Sequence, residues 1–282
     1  MIRGYLPLFR IKVAFMVATS TAFGYLLQAG TVDWRLWVCS LATFTLTCCC
    51  SVFNQIQERE LDARMPRTCQ RPVAKGLLTP AAALIPGIVL LLASAGLLHA
   101  SGGITLLGMG AFVIITYNGL YTPLKRISSF SLLTGAVPGA LPPAFGWVAA
   151  GGSVFSPQLV IVTMVYYLWQ VPHFWLRAEK DRAAYAEQGL PLPSIQLATR
   201  FSPLLNLWYS SYLTALLLIP LFPFMHSAVL RVGICFTVIA AFMVTGIILR
   251  SPERGFHIIN ASMLSVMLLL VADRLIGGSL IF

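Results

Sequence analysis

Residues 54–72 concentrate polar side chains in an otherwise apolar chain, reading Asn-Gln-Ile-Gln-Glu-Arg-Glu-Leu-Asp-Ala-Arg-Met-Pro-Arg-Thr-Cys-Gln-Arg-Pro. A helix that runs past Asn54 must stop near Pro66, since proline lacks the backbone donor and clashes with the preceding turn. On such a helix Asn54, Glu58 and Asp62 fall at i, i+4 and i+8, on one face with neighbours ~6 Å apart. Two carboxylates and an amide oxygen are hard ligands of the kind Mg²⁺ takes while it keeps waters and bridges to phosphates. Arg67 and Arg71 follow and suit a bidentate grip on phosphate oxygens. The same residues also describe a solvated helix end laced with ion pairs between neighbouring turns.

Two further clusters lie downstream. Tyr121-Thr-Pro-Leu-Lys-Arg126 puts Lys125 and Arg126 at a helix end, as topology signals or as anion ligands. The stretch from Trp169 to Pro193 is a helix leaving the membrane into a charged loop. Glu179 and Asp181 form a second acidic cluster there, unless Lys180 and Arg182 neutralise them. His173 sits among aromatic residues near the interface, where an imidazole is either structural, a ligand for iron, or a contact for a large planar ring.

The elements that must carry these groups are membrane helices. Of 282 residues, 58% are hydrophobic and 10% charged, with a mean hydropathy of +0.83. That composition excludes a soluble enzyme, a disordered chain and a collagen-like repeat. The apolar runs are continuous over ~20 residues, the length of a spanning helix, whereas barrel strands alternate over ~10. Nine spans are expected, at 13–29, 34–54, 80–99, 103–121, 129–150, 156–175, 203–224, 228–249 and 256–279. The expected fold class is therefore an all-α integral membrane protein, a nine-helix bundle forming one domain over residues 1–282. The span from Gly135 to Trp147 is dense in Gly and Pro, so it is expected to kink and shape a cavity.

Lys and Arg number 19 against 9 Asp and Glu, for a net charge of +10. On the nine-span reading, sixteen cations fall on one side and only Arg35, Arg231 and Arg274 on the other. The excess reads as an orientation signal rather than a nucleic-acid surface, with the N-terminus cytoplasmic and the C-terminus outside. Seven of the nine carboxylates share the cation-rich side, and six of these lie in the two long loops. Orientation does not require acids there, so those loops are the natural place for chemistry. The N-terminus is not expected to be a cleaved signal, because its basic residues precede a long span with no small-residue cleavage site. Cys48, Cys49 and Cys50 are consecutive within an apolar run, and no C-x-x-C pair exists, so the cysteines read as packing residues.

Acidic helix ends flanked by Arg and Lys, above a kinked apolar bundle, suit a substrate with a diphosphate head and a hydrocarbon tail. Ionising an allylic diphosphate generates a carbocation that water would quench, so the site must be enclosed and dry. At this point the residues meet a known pattern. Asn54-x-x-x-Glu58-Arg-Glu-Leu-Asp62-Ala-x-Met65-x-Arg67-Thr68-x-x-Arg71-Pro72, Tyr121-Thr-x-x-Lys125-Arg126, the Gly135–Trp147 stretch, Pro172-His-Phe-Trp175 and Tyr185 with Gly189-x-Pro191 together resemble the UbiA superfamily of intramembrane prenyltransferases. Within it they are most similar to the branch that farnesylates protohaem IX. The resemblance covers nearly the whole chain.

The resemblance implies nine helices around a central cavity, in a cell inner membrane, with the active site at the cytoplasmic face. It implies Mg²⁺ as cofactor, and transfer of farnesyl from farnesyl diphosphate to a vinyl group of haem b, giving haem O. Asn54, Glu58 and Asp62 would hold metal, joined by Glu179 and Asp181. Arg67, Arg71, Lys125 and Arg126 would contact diphosphate, with Lys125 and Asp181 among the catalytic groups. His173 and Tyr185 would lie on the haem side. The chain departs from the family pattern at Glu58 and Glu60, where Asp is usual, and at Ala184, where Asp usually precedes Tyr185; Asp181 or Glu179 then takes the acidic role about one turn earlier. Other readings are a prenyltransferase acting on an aromatic or quinone-precursor ring, a transporter with a charged cytoplasmic mouth, and a non-catalytic haem-handling or assembly protein.

Overall fold

A computed structural model describes residues 2–192, 203–221, 225–243 and 251–277. It is built of helices: α1 (Ile2–Phe9), α2 (Ile11–Ala29), α3 (Trp34–Gln57), α4 (Arg59–Arg64), α5 (Pro80–Ile114), α6 (Ser131–Ala140), α7 (Pro142–Ala149), α8 (Pro157–Glu179), α9 (Arg182–Glu187), α10 (Pro203–Leu218), α11 (Ala228–Met243) and α12 (Pro252–Gly277). No strand occurs among the described residues. A π-helical segment, Ile115–Tyr121, and a single turn, Thr122–Leu124, continue α5.

Large apolar side chains cover the outside, as membrane burial requires. Phe15, Trp37, Ile85, Leu92, Phe155, Phe236 and Leu268 are exposed, while Thr43, Ser51 and Asn54 are buried. In hydrocarbon only backbone groups satisfied within the segment are tolerated, which is why the elements are helical throughout. Six helical segments are long and apolar enough to cross a membrane, among the described residues and by length and composition. One of these, Pro80–Leu124, has 45 residues; as one rod it would measure ~68 Å, about twice the hydrocarbon thickness. It folds back on itself at Gly102 (φ −164°, ψ 22°) and Gly103 (φ 63°, ψ −149°), the second a left-handed conformation that favours glycine. A Cβ on Gly110 would lie 2.6 Å from Leu98 Cδ1; twelve residues apart on a straight helix they would be ~18 Å distant. The expected spans 80–99 and 103–121 are the two limbs of this hairpin. The described parts of the expected spans 203–224 and 228–249 are α10, of 16 residues, with a 3-10 turn at Ile219–Leu221, and α11, of 16 residues; residues 222–224, 244–250 and 278–282, on which those spans and the end of 256–279 fall, lie outside the described residues.

Close packing brings α2 against α7. A Cβ on Gly146 would lie 1.9 Å from the Thr21 carbonyl oxygen, and one on Gly24 would lie 1.9 Å from the Pro143 carbonyl oxygen. The two backbones touch because neither glycine carries a side chain, the small-residue device of membrane helix pairs. The Gly/Pro-rich span breaks as expected: α6 holds Pro138, ends at Ala140, and α7 restarts at Pro142. Cys39 and Cys48 to Cys50 are buried and all six cysteines are free thiols, so the first four pack as small apolar groups while Cys69 and Cys235 are half-buried. On the far side from the acidic loops, Asp33 starts α3 by accepting hydrogen bonds from the Arg35 and Leu36 amides at 2.8 and 3.4 Å. The Tyr25 hydroxyl, and then those amides, hold the Asp33 carboxyl below the usual carboxylate range.

Candidate active site

Three chain segments meet at the cation-rich end of the bundle: the α3–α4 junction with the loop that follows, the π-helical segment with residues 122–126, and the end of α8 with α9. The helix carrying Asn54, expected to run on toward Pro66, does not do so unbroken: α3 stops at Gln57, and Glu58 departs from helical geometry (φ −108°, ψ 11°) before α4 begins. The spacing nonetheless survives the bend. The Glu58 amide donates to the Asn54 carbonyl at 3.0 Å, and the Asp62 amide to the Glu58 carbonyl at 2.7 Å. The bend falls at the residue whose side chain turns inward.

Asn54, Glu58 and Asp62 are 2%, 1% and 4% exposed, so the two carboxylates need partners to remain charged. Lys125 Nζ donates to Glu58 Oε2, and Asn54 Nδ2 donates to the same oxygen at 2.9 Å. The other oxygen, Glu58 Oε1, is buried with no hydrogen-bond partner. Arg71 Nη1 lies 2.6 Å from Asp62 Oδ2. The Thr68 hydroxyl donates to the Asp62 backbone carbonyl at 3.1 Å, pinning the loop that brings Arg71 round. Arg67 Nε lies 2.7 Å from Asp181 Oδ2 and so ties the first acidic loop to the second. Glu179 is 8% exposed, and neither of its side-chain oxygens has a hydrogen-bond partner. Its nearest cation, Arg182, stands 3.6 Å away, beyond hydrogen-bond reach. Arg126 Nη2 donates to the Gln57 backbone carbonyl at 2.6 Å, closing the end of α3.

The π-helical segment sets Lys125 in place. Such segments add a residue to one turn and recur at functional sites. Here the Thr122 amide and hydroxyl both bond to the Tyr117 carbonyl, the hydroxyl at 2.9 Å. The hydroxyl oxygen in turn accepts from Asn54 Nδ2 at 3.2 Å. Gln57 Nε2 donates to the Asn118 carbonyl at 3.0 Å, and Asn118 Nδ2 to the Cys50 carbonyl at 3.0 Å. These bonds lock the segment to α3.

The expected metal set Asn54, Glu58, Asp62, Glu179 and Asp181 does not gather as one group. No three His, Cys, Asp or Glu side chains come together as a metal-binding cluster among the described residues. The reason is electrostatic. Carboxylates held apart each take the nearest cation, and Lys125, Arg71 and Arg67 play that part. Asn54 offers its amide N–H to Glu58, not its oxygen. Arg67, Arg71 and Lys125, expected as phosphate ligands, are thus all held on carboxylates, and Arg126 is on a backbone carbonyl.

His173 lies about one and two-thirds turns before Glu179 on α8. Its Nδ1 is 2.8 Å from Asn260 Oδ1 on α12. Its ring lies between Trp169 and Phe256, with centroids 4.6 and 4.8 Å away. Lys180 bridges to Glu253 at 2.7 Å, joining the same two helices above the imidazole. Tyr185, on α9, is half-buried. Sequence reasoning gave no role to Thr122, Asn118 or Asn260; a lone amide in an apolar span was the available signal for the latter two.

Residues 16–264 match the UbiA prenyltransferase family. A protoheme IX farnesyltransferase of Oleidesulfovibrio alaskensis is 55% identical over 281 residues, covering 100% of both chains. The one from Nitratidesulfovibrio vulgaris (strain DP4) is 42% identical, over 95% of this chain and 94% of its own. The human mitochondrial protoheme IX farnesyltransferase is 34% identical over 66% of this chain and 43% of its own. Among solved structures, a digeranylgeranylglyceryl phosphate synthase superposes with a TM-score of 0.77 at 16% identity, over 97% of this chain and 98% of its own. A UbiA homologue from Archaeoglobus fulgidus bound to GPP and Mg²⁺ gives 0.68 at 14% identity, over 98% and 100%. At such identities these two structures bear on the fold alone, which is the all-helical membrane fold described above.

Proposed function

The chain belongs to the UbiA prenyltransferase family, and from that premise we propose that it transfers the farnesyl group of farnesyl diphosphate to a vinyl group of haem b, giving haem O. The C1–O bond of farnesyl diphosphate breaks with its electron pair on the diphosphate; the outer vinyl carbon bonds to C1 with the vinyl π pair, and a water molecule adds to the cationic inner carbon and gives up a proton, leaving a hydroxyl there. The observation that carries the reading is the juncture of two acidic loops through Arg67 and Asp181 at 2.7 Å, beside the Lys125–Glu58 and Arg71–Asp62 pairs. The names of the full-length relatives support the choice of donor and acceptor.

By ligand type the donor set suits Mg²⁺, which would draw together the carboxylates now held apart on Lys125, Arg71 and Arg67. Glu58 Oε1 and both oxygens of Glu179 are buried carboxylate oxygens without hydrogen-bond partners, and hard oxygens of this kind are what Mg²⁺ binds. The proposed metal residues are Glu58, Asp62, Glu179 and Asp181, with Asn54 beside them. Bound Mg²⁺ supplies positive charge to the departing diphosphate. Arg67, Arg71, Lys125 and Arg126 bind the diphosphate oxygens, each leaving its present partner to do so. Tyr121, whose ring centroid is 5.6 Å from the Lys125 ammonium, helps exclude water from that cation. His173 and Tyr185 face the acceptor.

The reading treats residues 1–282 as one domain of nine spans in a cell inner membrane. The asymmetry of Lys and Arg favours a cytoplasmic N-terminus, an external C-terminus and a cytoplasmic active site.

The test is purified protein in lipid nanodiscs, supplied with farnesyl diphosphate, haem b and Mg²⁺. Mass spectrometry of extracted haem reports haem O, and a phosphate assay reports diphosphate. Haem O formation that stops on chelation, resumes with Mg²⁺ and falls at least a hundredfold in Asp62→Ala is the expected result. Diphosphate release with a phenolic acceptor alone, or none with any acceptor, overturns the proposal.

A further inference from the structure

The seam between α8 and α12 holds an imidazole in one protonation form and one orientation. Asn260 Oδ1 stands 2.8 Å from His173 Nδ1. An amide oxygen only accepts, so Nδ1 must carry the proton and Nε2 must carry the lone pair. No hydrogen bond to Nε2 occurs among the described residues. Trp169 and Phe256 flank the ring, with centroids at 4.6 and 4.8 Å, and fix its plane. The Lys180–Glu253 bridge holds the two helices together at that level, with the Lys180 ammonium 5.8 Å from the Phe256 ring centroid.

This is the arrangement by which proteins prepare a histidine for a metal: one nitrogen donates to a fixed oxygen, and the other keeps its lone pair free of that bond. We propose that His173 Nε2 ligates the iron of the haem acceptor, and that Asn260 is the positioning residue that sets its tautomer and aim. This rests on the reading of haem b as substrate and adds which atom grips it. Ligation here is a coordinate bond from the Nε2 lone pair, with no change in the oxidation state of iron and no proton moved. It anchors the acceptor by its metal rather than by its ring edge.

The experiment is titration of ferric haem b into the full chain in nanodiscs, without farnesyl diphosphate, read by the Soret band and by electron paramagnetic resonance. Wild type is expected to give a histidine-ligated spectrum. His173→Gly loses that spectrum and regains it with added imidazole. Asn260→Leu weakens haem binding at least tenfold, the usual scale for loss of such a partner. Asn260→Asp, a stronger acceptor, keeps the ligation and lowers the reduction potential of the bound iron. An unchanged spectrum in His173→Gly overturns the proposal, as does a wild-type potential together with wild-type affinity in the Asn260 variants. Where Asn260→Leu does not fold, Asn260→Asp decides. Wild-type protein that makes haem O while the variants' spectra stay unchanged removes this inference alone. Spectra that change as expected in a protein making no haem O remove the functional reading alone.

Discussion

Arg67 and Asp181 lie 114 residues apart in sequence and 2.7 Å apart in space. Their pair closes the first acidic loop over the second. Both side chains are partly exposed, at 39% and 21%, so the pair itself contributes about 1 kcal/mol or less to stability. Its importance is positional. Arg67→Asp is expected to leave the thermal unfolding midpoint nearly unchanged while prenyl transfer falls at least a hundredfold. The exchanged double variant Arg67→Asp, Asp181→Arg restores the pair. If Arg67 also binds diphosphate, activity stays lost in the double variant; recovery of activity would confine Arg67 to loop closure.

Lys125 and Glu58 form a different kind of pair. Glu58 is 1% exposed, and Lys125 is its only charged partner among the described residues. Lys125→Gln strands a buried carboxylate, and breaking one side of such a pair costs about 3 kcal/mol or more. Lys125→Gln should therefore lower the apparent Tm clearly, and adding Glu58→Gln should return most of the loss. Both variants lack transfer activity. Equal Tm values for wild type and Lys125→Gln, measured by thermal shift in detergent, would argue against a buried charged pair.

Thr122 is where a single hydroxyl directs a neighbour. Because its O–H is given to the Tyr117 carbonyl, its oxygen accepts from Asn54 and turns the Asn54 amide N–H toward Glu58. Thr122→Val removes the acceptor and lets the amide reverse. Mn²⁺ affinity, read by electron paramagnetic resonance on the protein without substrate, is expected to change severalfold in Thr122→Val and to return in Thr122→Ser. A Thr122→Val protein with wild-type Mn²⁺ affinity would separate the hydroxyl from the metal site.

Packing offers a test far from the chemistry. A Cβ at Gly146 would sit 1.9 Å from the Thr21 carbonyl oxygen. Gly146→Val must push α2 from α7, with an overpacking cost of about 1–3 kcal/mol or more. The variant should unfold at lower temperature, whereas Gly96→Ala, whose Cβ meets no atom within 4 Å, should not. Equal unfolding temperatures for both would contradict the close approach.

The sequence by itself determined the membrane class, the helical elements, the kinked Gly/Pro span and the residue types at the site. Hydrophobic run length, proline and charge asymmetry are local properties, readable without knowing what touches what. The hairpin at Gly102 and Gly103 was equally legible, because no membrane accommodates a 45-residue apolar rod. Only the tertiary structure decided which cation holds which carboxylate. Arg71 rather than Arg67 takes Asp62, and Lys125 takes Glu58. These choices depend on a bend at Glu58 and a π-turn before Thr122, and neither follows from periodicity, since each displaces side chains by a fraction of a turn. The partner of His173 was likewise hidden. Asn260 is one polar residue in an apolar span 87 positions away, and its meaning arises when two helices pack side by side.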